Sequence, residues 1–129
     1  MIDLTVMLKN VPGKLANIGE ILGKNNINME GLCGFPLKDE GFLMHILVED
    51  ETKTRQVLEQ AGFKIHSVHE VIVLTGQPGR NILLESGTAG KIARKIGDLG
   101  VNIDLIYFAG LNRLIIGVDD YEKAKAALE

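Results

Sequence analysis

Residues 10–29 read N-V-P-G-K-L-A-N-I-G-E-I-L-G-K-N-N-I-N-M, and their types suit holding a small polar ligand better than transforming one. Asn10, Val11, Pro12, Gly13 and Lys14 form a turn ahead of an amphipathic stretch, with Pro12 fitted to the first turn of a helix because it lacks an N–H. The N-terminus of that helix offers N–H groups with no partner inside the helix and the positive end of its dipole, which suits a carboxylate. Gly13 has no side chain to keep a ligand off the backbone. Asn10 and Asn28 each carry a donor and an acceptor, which suits an ammonium–carboxylate zwitterion without adding charge. A purely structural reading stands beside this one: Asn10 ends a strand, and Asn28 bridges a helix-to-strand turn.

Other chemistry-bearing residues assemble less well. His66 and His69 are three apart in a strand-like stretch, which points them to opposite faces and away from a shared metal. His45 lies in an apolar strand and reads as a satisfied core or interface group. Cys33, between glycines, reads as a small buried hydrophobe rather than a nucleophile. Gly90-Lys91 is no phosphate loop, because Glu85 stands where the earlier glycine belongs and Ile92 replaces Ser or Thr. Glu49-Asp50 and Asp119-Asp120 read as residues that start helices. No nucleophile, base and orienting group come together, so the expectation is a protein that is not an enzyme and has neither cofactor nor metal.

Certain elements must position the candidate turn. Ile2–Lys9 alternates Leu4, Val6 and Leu8 with Asp3, Thr5, Met7 and Lys9, the period of a strand with one buried side. Leu15, Ile18, Ile21 and Leu22 then form a helical stripe, ended by Gly23 and Asn25-Asn26. Strands are expected at residues 27–35 and 42–48, and a helix from Asp50-Glu51-Thr52 to about Ala61, with Val57, Leu58 and Ala61 inward. A long fourth strand is expected over 63–74. After the turn Gly76-Gln77-Pro78-Gly79, the pattern gives a strand at 80–85, a helix at 86–99, strands at 101–108 and 113–118, and a last helix at 121–128.

The second half repeats the first. At an offset of 74, Gly13 meets Gly87, Ile18 meets Ile92, Leu22 meets Ile96, and Ile27-Asn28-Met29 meets Val101-Asn102-Ile103. At an offset of 70, Val48-Glu49-Asp50 meets Val118-Asp119-Asp120. Matches on core positions and turns alike indicate duplication. The expected fold is α+β: two tandem ferredoxin-like βαββαβ units, with antiparallel sheets and helices on one face. The domains are residues 1–75 and 76–129, the second a truncated βαββα that lacks its last strand. Its exposed edge is paired either by the long strand over 63–74 serving both sheets or by another chain, and a homodimer is expected.

Composition narrows the function classes. A net charge of −3 and 5% aromatic residues argue against a nucleic-acid surface. Residues 9–14 hold no Arg for an acyl-phosphate hydrolase. No apolar run reaches the roughly 20 residues of a membrane span, and nothing at the N-terminus reads as a signal peptide. A single cysteine points to a reducing, cytoplasmic compartment.

The order of elements, with Asn10-Val11-Pro12-Gly13 before a helix and Ile27-Asn28-Met29 after it, resembles the ACT domain, a regulatory fold that senses amino acids. The second copy resembles it too, through Ser86-Gly87-Thr88-Ala89-Gly90-Lys91-Ile92, Val101-Asn102-Ile103 and Gly117-Val118-Asp119-Asp120. The likeness covers nearly the whole chain as a stand-alone tandem pair. It implies binding of a free amino acid at an interface between adjacent domains, and regulation of a partner enzyme or pathway. It places the ligand on Asn10, Val11, Pro12, Gly13, Lys14, Asn28 and Met29, with the two asparagines matching those of serine-sensing members. A weaker second site would use Ser86, Gly87, Thr88, Asn102 and Ile103, since Leu84 stands where Asn10 would and Ser86 replaces Pro12. The alternative is an interaction module of the same fold with no small ligand.

Overall fold

Leu4, Val6 and Leu8 of β1 (Ile2–Lys9) point into a core completed by Ile18 and Leu22 of α1 (Lys14–Lys24), Met44, Ile46 and Val48 of β3 (Gly41–Val48), and Leu58 of α2 (Glu51–Gln60). The computed structural model describes residues 1–76 and 85–129. With β2 (Gly31–Pro36) and β4 (Lys64–Glu70), β1 and β3 form a four-stranded sheet of order β2-β3-β1-β4. β3 runs antiparallel to both its neighbours; Ile2 pairs with Val48, Lys9 with Gly41, and Gly31 with Leu47.

Among the described residues the second sheet has order β5-β7-β6, from β5 (Ile72–Thr75), β6 (Ile103–Ala109) and β7 (Arg113–Val118). Ile96 of α3 (Thr88–Gly97) and Ala124 of α4 (Tyr121–Leu128) join Ile72, Leu114, Ile116 and Val118 in its core. Every residue of β7 is buried, as the central strand of a small sheet requires. A Cβ at Gly117 would lie 2.6 Å from Leu105 Cγ, so that close approach of β6 to β7 needs glycine. Two compact units result, Met1–His69 and Glu70–Glu129. They are the expected pair of ferredoxin-like, ACT-like units in an α+β chain, the second without a final strand. No helix among the described residues is long and apolar enough to cross a membrane.

Several expectations need correction. The long strand expected over 63–74 is two strands, divided at Val71 rather than near Ser67: β4 ends at Glu70, and β5 joins the other sheet by pairing Ile72 with Ile116, so this stretch serves both sheets. Pro12 is not helical, because Gly13 caps α1 with φ +89 and the helix starts only at Lys14. β2 starts at Gly31, which leaves Asn28 and Met29 in the connection ahead of it. In α2 the inward positions are Thr54 and Leu58, while Ala61 is an exposed C-cap. β1 is buried on both sides at its start, with Asp3 and Thr5 as inaccessible as Leu4 and Val6. The strand expected at 80–85 and the comparison of Leu84 with Asn10 fall on residues 77–84, outside those described.

Candidate functional site

At the end of β1 the chain turns sharply. Asn10 N–H donates to Glu40 O at 2.8 Å, and Val11 N–H to Lys9 O at 2.9 Å. Lys14 N–H then donates to Val11 O at 3.4 Å, and Asn17 N–H to Gly13 O at 2.9 Å, the first helical bond. Asn10, Val11, Pro12 and Gly13 are exposed. The second unit repeats the geometry: Gly87 has φ +86, Thr88 N–H donates to Glu85 O at 3.2 Å, and Lys91 N–H to Gly87 O at 3.0 Å.

The four helix starts among the described residues fall into two kinds. Asp50 Oδ1 accepts from Lys53 N–H at 3.0 Å and closes α2, and Asp120 Oδ1 accepts from Lys123 N–H at 3.2 Å and closes α4. α1 and α3 begin on left-handed glycines, which supply no side-chain cap. A helix start leaves about four N–H groups without intrahelical partners, and a capping carboxylate is what usually meets one of them. At α1 and α3, a ligand carboxylate can take the place that Asp50 and Asp120 fill elsewhere.

The other half of the sequence-predicted site lies elsewhere in the unit. Asn28 is exposed in the connection after α1, and its Nδ2 donates to Glu30 Oε1 at 2.9 Å. Glu30 N–H reaches Leu47 O at 2.9 Å, which fixes this loop at the Val48 end of β3. Asn10 sits at the Gly41 end. The 11 residues of α1, about 16 Å of helix, therefore run between the two candidate groups. One unit does not bring Asn10 and Asn28 onto one small ligand. Asn102 and Ile103 are placed like Asn28 and Met29, at the other end of α3 from Ser86, Gly87 and Thr88. Asn102 exchanges bonds with Asp119, its N–H donating to Oδ1 at 3.0 Å and its carbonyl accepting from Asp119 N–H at 3.2 Å.

Asn28 opens onto a pocket of about 270 Å³ lined by Asn26, Glu30, Glu49, Asp50 and Lys53 among others. The sequence reading missed Glu30 and Lys53. The repeat held a signal for both, since Asp104 and Lys123 occupy the matching places at offsets of 74 and 70. It also missed a buried polar cluster on β1 and β3. His45 Nδ1 lies 2.9 Å from Asp3 Oδ1 and 3.2 Å from Thr5 Oγ1, and Thr5 donates to Asp3 at 3.3 Å. His45 is thus a satisfied group, as its apolar strand suggested. Cys33 is its cross-strand partner on β2.

The molecule these elements define is a tandem pair of ACT-like units, each with an open, glycine-started helix. Among solved structures, the chain is similar to protein BT0572 from Bacteroides thetaiotaomicron, with a TM-score of 0.81 and 24% identity over 98% of this chain and 85% of that one. It is also similar to the regulatory subunits of aspartate kinase from Thermus thermophilus (ligand-free form; TM-score 0.67, 17% identity) and Thermus flavus (TM-score 0.71, 16% identity), over 98% of this chain and 87% of each of those. At such identities the shared property is the fold. No protein-family model and no curated protein matches the sequence.

Proposed function

We propose that this chain is a non-enzymatic sensor that binds a free amino acid and passes its occupancy to a partner enzyme. The observation that carries this reading is the division of helix starts: α2 and α4 are closed by aspartates, whereas α1 and α3 start on glycine at the two turns where a ligand was expected. A carboxylate at the start of α1 gains backbone donors and the helix dipole, with Lys14 and the Asn10 side chain beside it. Because Asn28 lies at the far end of α1, the ligand is completed by Asn28 and Met29 of a second unit, so the site belongs to a junction between units. Ser86, Gly87 and Thr88, with Asn102 and Ile103 of another unit, form the weaker second site. The fold shared with proteins named as regulatory subunits of aspartate kinase supports a regulatory role.

Binding at a junction favours the arrangement that closes around the ligand, and differential affinity is what transmits the signal. The assembly is a homodimer. Two of the outermost strands among the described residues, β2 and β6, expose large apolar side chains, Leu32 and Phe35 on one, Ile106 and Phe108 on the other. The single cysteine, Cys33, fits a cytoplasmic setting. Those same exposed side chains also favour the second reading, an interaction module without a small ligand. A thermal-shift screen of the twenty amino acids separates the two. A ligand at 100 times its Kd adds about 2.7 kcal/mol to stability, and Asn28→Ala should abolish most of that gain without unfolding the chain. No shift with any amino acid selects the interaction module; an undiminished shift in Asn28→Ala removes Asn28 from the site.

A further inference from the structure

β6 pairs with β7 on one side, and among the described residues no strand takes its other side. Its sequence, I-D-L-I-Y-F-A, is rich in strand-forming residues and has neither Gly nor Pro. The corresponding strand of the first unit, β2, carries Gly31, Gly34 and Pro36. Proline has no N–H to give and glycine no side chain to pack, so β2 is the poorer template for another strand. A bulge between Ile103 and Leu105 sets Asp104 out of register, after which Leu105–Ala109 runs regularly along β7. No charge or proline protects that regular stretch from pairing. Ile106 and Phe108 share one face of it and are 44% and 57% exposed. At the hairpin beyond, Leu111 is 86% exposed and held at φ +61, a conformation that bulky side chains rarely adopt.

We infer that β6 pairs antiparallel with β6 of a second copy, about a two-fold axis through Tyr107. This rests on the homodimer reading above and gives that dimer a strand and a register. A two-fold contact must be self-complementary, and the order of residues on β6 meets that condition in one register. Centred on Tyr107, Ile106 of each copy faces Phe108 of the other, an aromatic and β-branched pair made twice. Asp104 then comes level with Gly110, and Leu111 level with Ile103. Centred on Ile106, the pairing would set Asp104 against Phe108 and desolvate a carboxylate for no partner. Centred on Asp104, it would oppose like charges. Centred on Phe108, it would leave Ile106 facing Gly110. The sequence of the edge thus supplies both halves of the joint, which singles out another copy of this chain as its occupant.

The experiment measures mass by light scattering for the full chain and for two paired variants, each checked by circular dichroism. Ile106→Lys with Phe108→Lys sets ammonium groups across the joint and should halve the mass; Leu32→Lys with Phe35→Lys, on β2, should leave it unaltered. A dimer that survives the β6 substitutions, or is lost only with those on β2, overturns the inference while the homodimer stands. A monomer before any substitution removes the homodimer reading and this inference with it. The register is read separately by oxidative cross-linking in a Cys33→Ser background. Residues directly opposite lie within reach of a disulfide, so an equal mixture of Ile106→Cys and Phe108→Cys chains should cross-link several-fold more than either chain alone. Equal cross-linking in the mixture and in the separate chains overturns the register centred on Tyr107.

Discussion

Asp3 and Thr5 mark the limit of reading residues one at a time. Alternation along β1 assigns them to a polar outer face, yet both are buried and hydrogen-bonded with His45 of β3. The pattern gives the period of a strand, but whether its second face meets water depends on what covers it, which no local spacing encodes. Asp3 and His45 are separated by 42 residues and meet only through the β1–β3 register. Gly13 was legible as part of a turn, but its capping role was not: its φ of +89, which other residues rarely adopt, starts α1 at Lys14 and leaves Pro12 outside the helix that was expected to include it. The contact of Asn28 with Glu30 was not legible, because loop residues two apart have no fixed relation until the backbone sets one. Removing Asp3 should be costly, since it takes an acceptor from the buried Thr5 and the partly buried His45. Asp3→Ala is expected to lower stability by about 1–3 kcal/mol, read as a shifted urea midpoint with an unchanged slope; an unshifted midpoint would show that the cluster contributes nothing.

Elements were easier to read than their ends. The helical stripe Leu15, Ile18, Ile21, Leu22 became α1 and the acidic starts became α2 and α4, with both aspartates in capping positions. The division between β4 and β5 falls at Val71 rather than near Ser67, a place the sequence does not mark because Val68 to Leu74 contains no Gly or Pro. That the second part joins the other sheet is decided by pairing with β7, a contact 38 to 44 residues away in sequence. The caps give a test at this scale. Asp50→Ala removes the acceptor of Lys53 N–H and should cost about 1 kcal/mol, measurable by chemical denaturation. If stability is unaltered, the side-chain cap is not what starts α2, and the contrast between closed and open helices loses its meaning.

At the scale of the molecule, the internal repeat was the most informative property of the sequence. It gave the tandem ACT-like architecture, because core positions such as Leu22 and Ile96, and turns such as Gly13 and Gly87, recur together. It did not give the assembly, since edge strands carry the same signal whether or not a partner covers them. If the exposed side chains of β2 join two copies, Leu32→Lys with Phe35→Lys should halve the mass measured by light scattering while leaving the circular dichroism unchanged. A strict monomer before substitution, or an unaltered mass after it, rules that edge out.

The placement of Asn10 and Asn28 at opposite ends of α1 also bears on how ligands are counted. A molecule held by one group from each of two units is owned by neither. Its stoichiometry follows the number of meetings between units rather than the number of polypeptides. On the proposed reading, ligands per chain would measure how the units are arranged, and disrupting an edge strand would empty sites whose own residues are all still present.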